Sequence, residues 1–168
     1  MHELTPMAAT LGALLKTRKE TVAVSESSAG GLISAALLAV SGASAYFVGG
    51  GVIYTQAARR ELLKLPDDAV KGIRSSTEAY AALKARTIRQ LLGATWGLAE
   101  TGASGPTGNR YGDAAGHACI AVAGPAERLI TLETGHNDRE RNMWAFAVAA
   151  LQLLHAALKE HPGVGAVS

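Results

Sequence analysis

Along this chain the hydrophobic positions alternate between helical spacing and short continuous apolar runs. Met7, Leu11, Leu14 and Leu15 recur at helical spacing. Before them Thr5-Pro6 predicts a helix start, with Thr as cap and Pro at the first helical position. Thr21 to Ser25 has the length and composition of a buried strand. Gly30 to Val40 returns to a helical pattern and ends at Ser41-Gly42. Tyr46 to Tyr54 predicts a second strand, although Gly49, Gly50 and Gly51 lie inside it. Consecutive glycines in a strand mark either a bulge or the close approach of another backbone or a ligand. Ala57 to Leu65 predicts a short helix stopped by Pro66. Ser75 with Glu78 predicts a capping box, followed by a stripe of Tyr80, Leu83, Thr87, Ile88 and Leu91 that runs to Gly93. Trp96 to Thr101 reads as a strand. A loop from Gly102 to Gly116 leads to two more strands, His117 to Ala123 and Leu129 to Thr134, joined by a hairpin at Gly124-Pro125. Asn137 with Glu140 predicts the cap of a last helix, whose stripe is Met143, Ala147, Ala150, Leu154 and Leu158.

The resulting order is α-β-α-β-α-α-β-β-β-α. Strands separated by helices favour a parallel sheet covered on both faces, and the terminal hairpin forces one strand to run backwards. The expected fold is therefore α/β: a three-layer α/β/α sandwich of about five strands, mostly parallel, with one antiparallel strand. A single domain over residues 1–160 is expected, with a frayed tail at 161–168. In such sheets ligands sit beyond the carboxyl ends of the strands. Ser27, Tyr54 and Thr101 each fall at that end of a separate strand.

Composition narrows the function classes. The 168 residues suit one domain with a real core. Hydrophobic residues make up 48% and aromatics only 5%, which points to a core of small, closely packed aliphatics. A net charge of +2 is too small for nucleic-acid binding by bulk electrostatics, despite a pI of about 8.8. Arg59-Arg60 and Arg139/Arg141 are short local groups of cations. Cys119 is the one cysteine, so an internal disulfide is impossible and a cytoplasmic setting is expected. Neither a signal peptide nor a bilayer-spanning stretch is read, so no membrane partner is expected.

The densest chemistry lies in Glu26-Ser27-Ser28-Ala29-Gly30-Gly31, between the first strand and the second helix. Amides at a helix start carry the positive end of the dipole and suit an anion or an oxyanion. There Ser27 can be a nucleophile, an anion ligand or a helix cap, and pattern alone leaves all three open. Gly102-Ala103-Ser104-Gly105 opens a second glycine loop, without dinucleotide-binding spacing and with no clear helix after it. No P-loop, HExxH, CxxC or EF-hand pattern occurs. His2, His117, His136, His155 and His161 form no ligand-like cluster, so a bound metal is not expected. Trp96 and Trp144 read as core, and Cys119 as a buried, inert strand residue.

Four segments in order, TVAVSESSAGG, FVGGGVIYTQAARRELL, ETGASGP and NDRER, resemble the CinA C-terminal domain family. The resemblance runs from about Thr5 to Leu158. It implies the same three-layer sandwich, frequent homo-oligomers, no metal or organic cofactor, and an activity found among members: hydrolysis of the carboxamide of nicotinamide mononucleotide, releasing ammonia. The implied small-molecule partner is a phosphorylated pyridine nucleotide. The family serine falls on Ser27, which would attack the amide carbon once a base takes its proton. Amides of Gly30 and Gly31 would steady the oxyanion or hold the substrate phosphate. The family's Y-S-N-x-x-K element falls on Tyr54 to Arg59, and its Thr-Gly-x-x-Gly-Pro element on Thr101 to Pro106, which includes Gly105. Arg139 falls in its G-D-R element as a phosphate or carboxylate ligand. Read from the residues alone, Glu26 either orients Tyr54 or Arg59 or simply forms an ion pair.

The departures from the family pattern carry a second reading. The family lysine that partners the serine is Arg59 here, and a guanidinium, with a pKa above ~12, does not act as a general base. Lys64 lies on another face of the expected helix. Ser28-Ala29 replaces Cys-Thr, Gln56 replaces Asn, and Met143 stands where a second arginine is usual. His117 replaces a threonine, and either supplies a base or is structural. The alternative to an amidohydrolase is thus a non-catalytic member that binds a nucleotide or anion, or serves as an interaction module.

Overall fold

All five residues of Val22–Glu26 are buried, and this strand, β1, lies inside a five-stranded sheet of order β2-β1-β3-β4-β5. In the computed structural model, which describes residues 1–163, the other strands are β2 (Phe47–Val52), β3 (Trp96–Ala103), β4 (His117–Ala123) and β5 (Arg128–Glu133). β1 pairs in parallel with β2 and β3, while β4 runs antiparallel to both β3 and β5. The sheet is therefore mostly parallel with one reversed strand, as the terminal hairpin requires. The helices are α1 (Leu4–Arg18), α2 (Leu32–Leu38), α3 (Gln56–Glu61), α4 (Glu78–Leu92) and α5 (Arg139–Glu160).

Side-chain alternation along the strands assigns the layers. Val22 and Val24 of β1, with Trp96 and Leu98 of β3, pack against buried residues of α1, α2 and α5. Ala23 packs on the opposite face with Leu63 and Ile88, and Ala99 and Ala121 meet Ala81 and Ala85 of α4. Small residues let that helix lie very close. A Cβ on Gly97 of β3 would fall 2.0 Å from the Ala85 carbonyl oxygen. Trp96 is fully buried as core, and its indole N–H donates to Glu20 at 2.8 Å.

The bulge falls one residue before the β2 glycines, and the nearest approach to them is made by a side chain. The pairing of β1 with β2 shifts register between Val22 and Ala23, a bulge beside Val48. A Cβ on Gly50 would lie 2.5 Å from Ser34 Oγ, so the close approach is made by α2 of the chain itself.

Helix starts differ from expectation, because a cap needs extended backbone as well as the right side chain. α4 is capped by Thr77, in extended conformation, which accepts from the Tyr80 amide; Ser76 is left-handed with φ 58°, which places Ser75 outside the helix. Asp138, not Asn137, caps α5 by accepting from the Arg141 amide. α1 starts at Leu4 without a side-chain cap, and the Thr5 hydroxyl donates to the Met1 carbonyl instead. Of the tail expected to fray, 164–168 lie outside the described residues, whereas the His161 carbonyl accepts from Arg18 at 2.8 Å. Among the described residues no helix is long and apolar enough to cross a membrane.

Because α4 sits directly on the bare backbone of Gly97, Gly97→Ala is expected to lower unfolding stability by about 1–3 kcal/mol or more. Urea unfolding followed by circular dichroism measures this, and an unchanged midpoint would refute the close packing.

Candidate active site

At the end of β1 the chain must turn out of the sheet and enter α2 within a few residues. Glu26, fully buried, makes that turn possible. Its Oε2 accepts from the amides of Gly31 (2.9 Å) and Ile33 (3.0 Å), and its Oε1 from the amide (2.8 Å) and hydroxyl (2.5 Å) of Ser34. A carboxylate so placed satisfies the orphan donors of the helix and complements its dipole. Glu26 is thus bonded to α2, not to Tyr54 or Arg59. The Gly30 amide donates to the Ser27 carbonyl at 3.1 Å. Neither glycine amide is left for an oxyanion or a phosphate. Met143 packs over Gly30, with its terminal carbon 2.7 Å from where a Cβ would stand.

A second carboxylate, which the motif did not reveal, holds the front of the same turn. Glu100 Oε2 accepts from the amides of Ser27 and Ala29, each at 2.9 Å. Burial raises the Glu100 pKa, and these amides together with the charge of Lys84 work against that rise. The Ser28 hydroxyl donates to the Gly102 carbonyl at 2.6 Å. Of the amides of residues 27–31, that of Ser28 alone makes no hydrogen bond among the described residues, and the Ser27 hydroxyl makes none either.

Lys84, from α4, is also fully buried and donates to the Glu100 carbonyl at 3.0 Å. Burial lowers its pKa to about 8, against the favourable charges of Glu100 and Glu26. Both residues were visible as breaks in pattern. Glu100 interrupts the apolar run of β3. Lys84 occupies the apolar stripe of α4, four residues from Tyr80 and four from Ile88.

Beyond the carboxyl ends of β1, β2 and β3 lies a cleft of about 610 Å³. It brings together Ser27, Tyr54, Arg59 and Thr101, which come from three different strand ends and α3. Their present bonds differ in kind. Arg59 is buried and donates to the carbonyls of Leu65 and Pro66, both at 2.9 Å, and to Asp67. The Thr101 hydroxyl accepts from the Ser76 amide at 3.3 Å. Tyr54 is exposed, and its hydroxyl accepts from Arg139 at 3.2 Å; Arg139 also donates to the Gly105 carbonyl at 2.6 Å. Gly105 thus serves through its carbonyl, by fixing Arg139.

The opposite wall carries residues that the sequence reading passed over: Arg74, Tyr80, Arg110 and Tyr111. Arg74 grips Asp113 with bonds of 2.6 and 2.9 Å and pulls that carboxyl down to about 2. Arg110 lies 5.0 Å from the Tyr111 ring centroid and donates to its hydroxyl. Among the described residues, Arg110 and Arg139 form no ion pair. Arg110, which lines the cleft, and Arg139, which does not line it but is bonded to the lining residue Tyr54, therefore stand without a carboxylate among the described residues. No group of three His, Cys, Asp or Glu side chains that could hold a metal occurs among the described residues.

His117 does not face Ser27. It sits behind Ser76, with Nε2 2.9 Å from the Ser76 carbonyl oxygen and Nδ1 bonded to Glu133. Both ring nitrogens face acceptors, which only the doubly protonated imidazolium satisfies. That geometry makes it a structural tie and removes it as the base. Cys119 is buried beside it, 3.6 Å from Nε2, with its thiol pKa raised by burial.

A five-stranded α/β/α sandwich with a polar cleft across the ends of its first three strands is the class that fold and site define. The CinA C-terminal domain family matches residues 4–158, and the chain belongs to that family. It is 36% identical over 144 residues to a CinA-like protein of Salinibacter ruber, covering 86% of this chain and 35% of the relative. With a CinA-like protein of Desulfosudis oleivorans it shares 36% identity over 155 residues, 89% of this chain and 37% of the relative. The chain thus spans little more than a third of the length of these relatives. Among solved structures, a competence-damaged protein (CinA) superfamily protein from Klebsiella pneumoniae superposes with a TM-score of 0.87 at 23% identity, covering 94% of this chain and 99% of the other. A competence/damage inducible protein from Agrobacterium tumefaciens superposes with a TM-score of 0.84 at 24% identity, covering 92% and 94%.

The His117 tie has a pH signature. Burial opposes its charge, but the bonds to Glu133 and Ser76 and the nearby charges of Glu133 and Asp113 outweigh burial and raise its pKa above 6.5. A raised folded-state pKa gives stability that is fully present below the ordinary value and lost as pH rises through the folded value. Unfolding midpoints of the wild type are expected to fall across that window, and His117→Asn is expected to flatten the fall. Equal slopes for both proteins would refute the tie.

Proposed function

We propose that the cleft is an amidohydrolase site for the carboxamide of a phosphorylated pyridine nucleotide, with Ser27 as nucleophile. The observation that carries this reading is Ser27 itself: a hydroxyl without a hydrogen bond among the described residues, at the carboxyl end of β1, opening onto the cleft of a CinA-family domain. Beside it the unbonded Ser28 amide is a preorganised donor for a developing oxyanion, the role first expected of Gly30 and Gly31. Arg110 and Arg139, without carboxylate partners, suit the substrate phosphate, because a guanidinium forks onto phosphate oxygens. The Ser27 Oγ would bond to the carboxamide carbon as the C–N bond breaks and the hydroxyl proton passes to the leaving nitrogen, releasing ammonia and leaving an ester; water then cleaves the ester to the carboxylate and returns the Ser27 hydroxyl.

A specific observation favours a second reading, a family member that binds the nucleotide without hydrolysing it. Arg59 is held by two carbonyls and Asp67, and among the described residues no base is bonded to the Ser27 hydroxyl. One experiment separates the two readings. Purified protein is given nicotinamide mononucleotide and ammonia is measured, with Ser27→Ala and Arg59→Lys alongside. The amidohydrolase reading expects release by wild type and a loss on the order of a thousandfold or more in Ser27→Ala. Release only by Arg59→Lys would establish a disabled site, and release that survives Ser27→Ala would remove Ser27 as nucleophile.

A further inference from the structure

The Glu100 carboxylate is committed to one task. It is fully buried on β3; its Oε2 takes the amides of Ser27 and Ala29, and its Oε1 has no partner. Among the described residues its carboxylate bonds no other element of the fold. A carboxylate whose only hydrogen bonds go to the turn that carries Ser27 acts through that turn.

The charge also needs support. An isolated buried carboxylate protonates unless donors or a cation stabilise it. Lys84 reaches in from α4, which packs on the opposite face of the sheet from α2, and anchors its ammonium on the backbone carbonyl of Glu100 itself. Glu26 adds a second buried negative charge nearby. Lys84 is thus a buried cation whose charge is favoured by both buried carboxylates, and in a poorly polarisable interior its attraction extends past direct contact.

We infer that Glu100 and Lys84 act together as positioning residues for Ser27, Glu100 by fixing the Ser27 and Ala29 amides and Lys84 by keeping that carboxylate ionised. In so far as it concerns catalysis, this rests on the amidohydrolase reading above. The coupling has a direction: Lys84 matters only through Glu100.

The test follows the amide signals of Ser27 and Ala29 by nuclear magnetic resonance in wild type, Glu100→Gln, Lys84→Met and the double variant, together with ammonia release. Both amides are expected to move upfield in Glu100→Gln, and in the same sense in Lys84→Met. Activity is expected to fall in kcat by about a hundredfold, the scale of an ångström-level misplacement, with KM for nicotinamide mononucleotide nearly unchanged. The double variant is expected to be no worse than Glu100→Gln alone. If Glu100→Gln does not fold, Glu100→Asp, which keeps the charge, is expected to retain the wild-type dependence on Lys84. Unmoved amides in Glu100→Gln, or losses that multiply in the double variant, would overturn the inference. Absence of ammonia release by wild type would count against the amidohydrolase reading alone, since the amide signals still decide the coupling.

Discussion

Two carboxylates are buried under the turn from β1 into α2, and five backbone amides are aimed at them. Glu26 takes those of Gly31, Ile33 and Ser34; Glu100 takes those of Ser27 and Ala29. Removing a carboxylate from water costs several kcal/mol unless such bonds replace its hydration. The turn is therefore not free to take other shapes while both groups are ionised. Its conformation sets where the Ser27 hydroxyl opens and lets the Ser28 hydroxyl reach Gly102. It also leaves one amide, that of Ser28, unspent.

This arrangement changes where the site keeps its positive potential. A strand-to-helix turn with glycines invites the idea of an anion resting on the helix start. Here protein carboxylates already occupy that place, so any anionic ligand must be met by side chains farther out. The cleft and the arginine bonded to its Tyr54 provide them in two kinds. Arg59 and Arg74 are neutralised by Asp67 and Asp113, whereas among the described residues Arg110 and Arg139 form no ion pair. The first pair shapes the wall, and the second carries the charge that a ligand would feel.

The fold was legible because its layers follow period and order: helical stripes, short apolar runs, and a closing hairpin left few topologies. The convergence of Ser27, Tyr54 and Thr101 was legible for the same reason, since strand ends define one edge of a sheet. What escaped was the partnership of individual polar atoms. Ser75, Thr5 and Asn137 have the right chemistry for caps, but capping is decided by backbone angles that composition does not fix. Glu26 stood in view as part of the motif, yet its partners depend on how sharply the chain turns. Glu100 and Lys84 were both anomalies in apolar patterns. Their relation required the sheet, because sixteen residues of sequence separate them and they approach from opposite faces.

The same physics explains Arg59. A lysine at that position would offer a compact ammonium able to lose its proton in a dry pocket. A guanidinium offers five donors in a fixed plane, and here they bond the carbonyls of Leu65 and Pro66 and the carboxylate of Asp67. These acceptors lie just past the end of α3, where the chain leaves the helix, and the Pro66 carbonyl also accepts from the Ala69 amide at 3.2 Å. Arginine therefore clamps the segment that forms one side of the cleft, which lysine could do for fewer acceptors at once. The guanidinium that is unsuited to act as a base is the one that supplies the clamp. The charged groups that hold the turn of Ser27 are Glu26 and Glu100, and Lys84 is bonded to the Glu100 carbonyl.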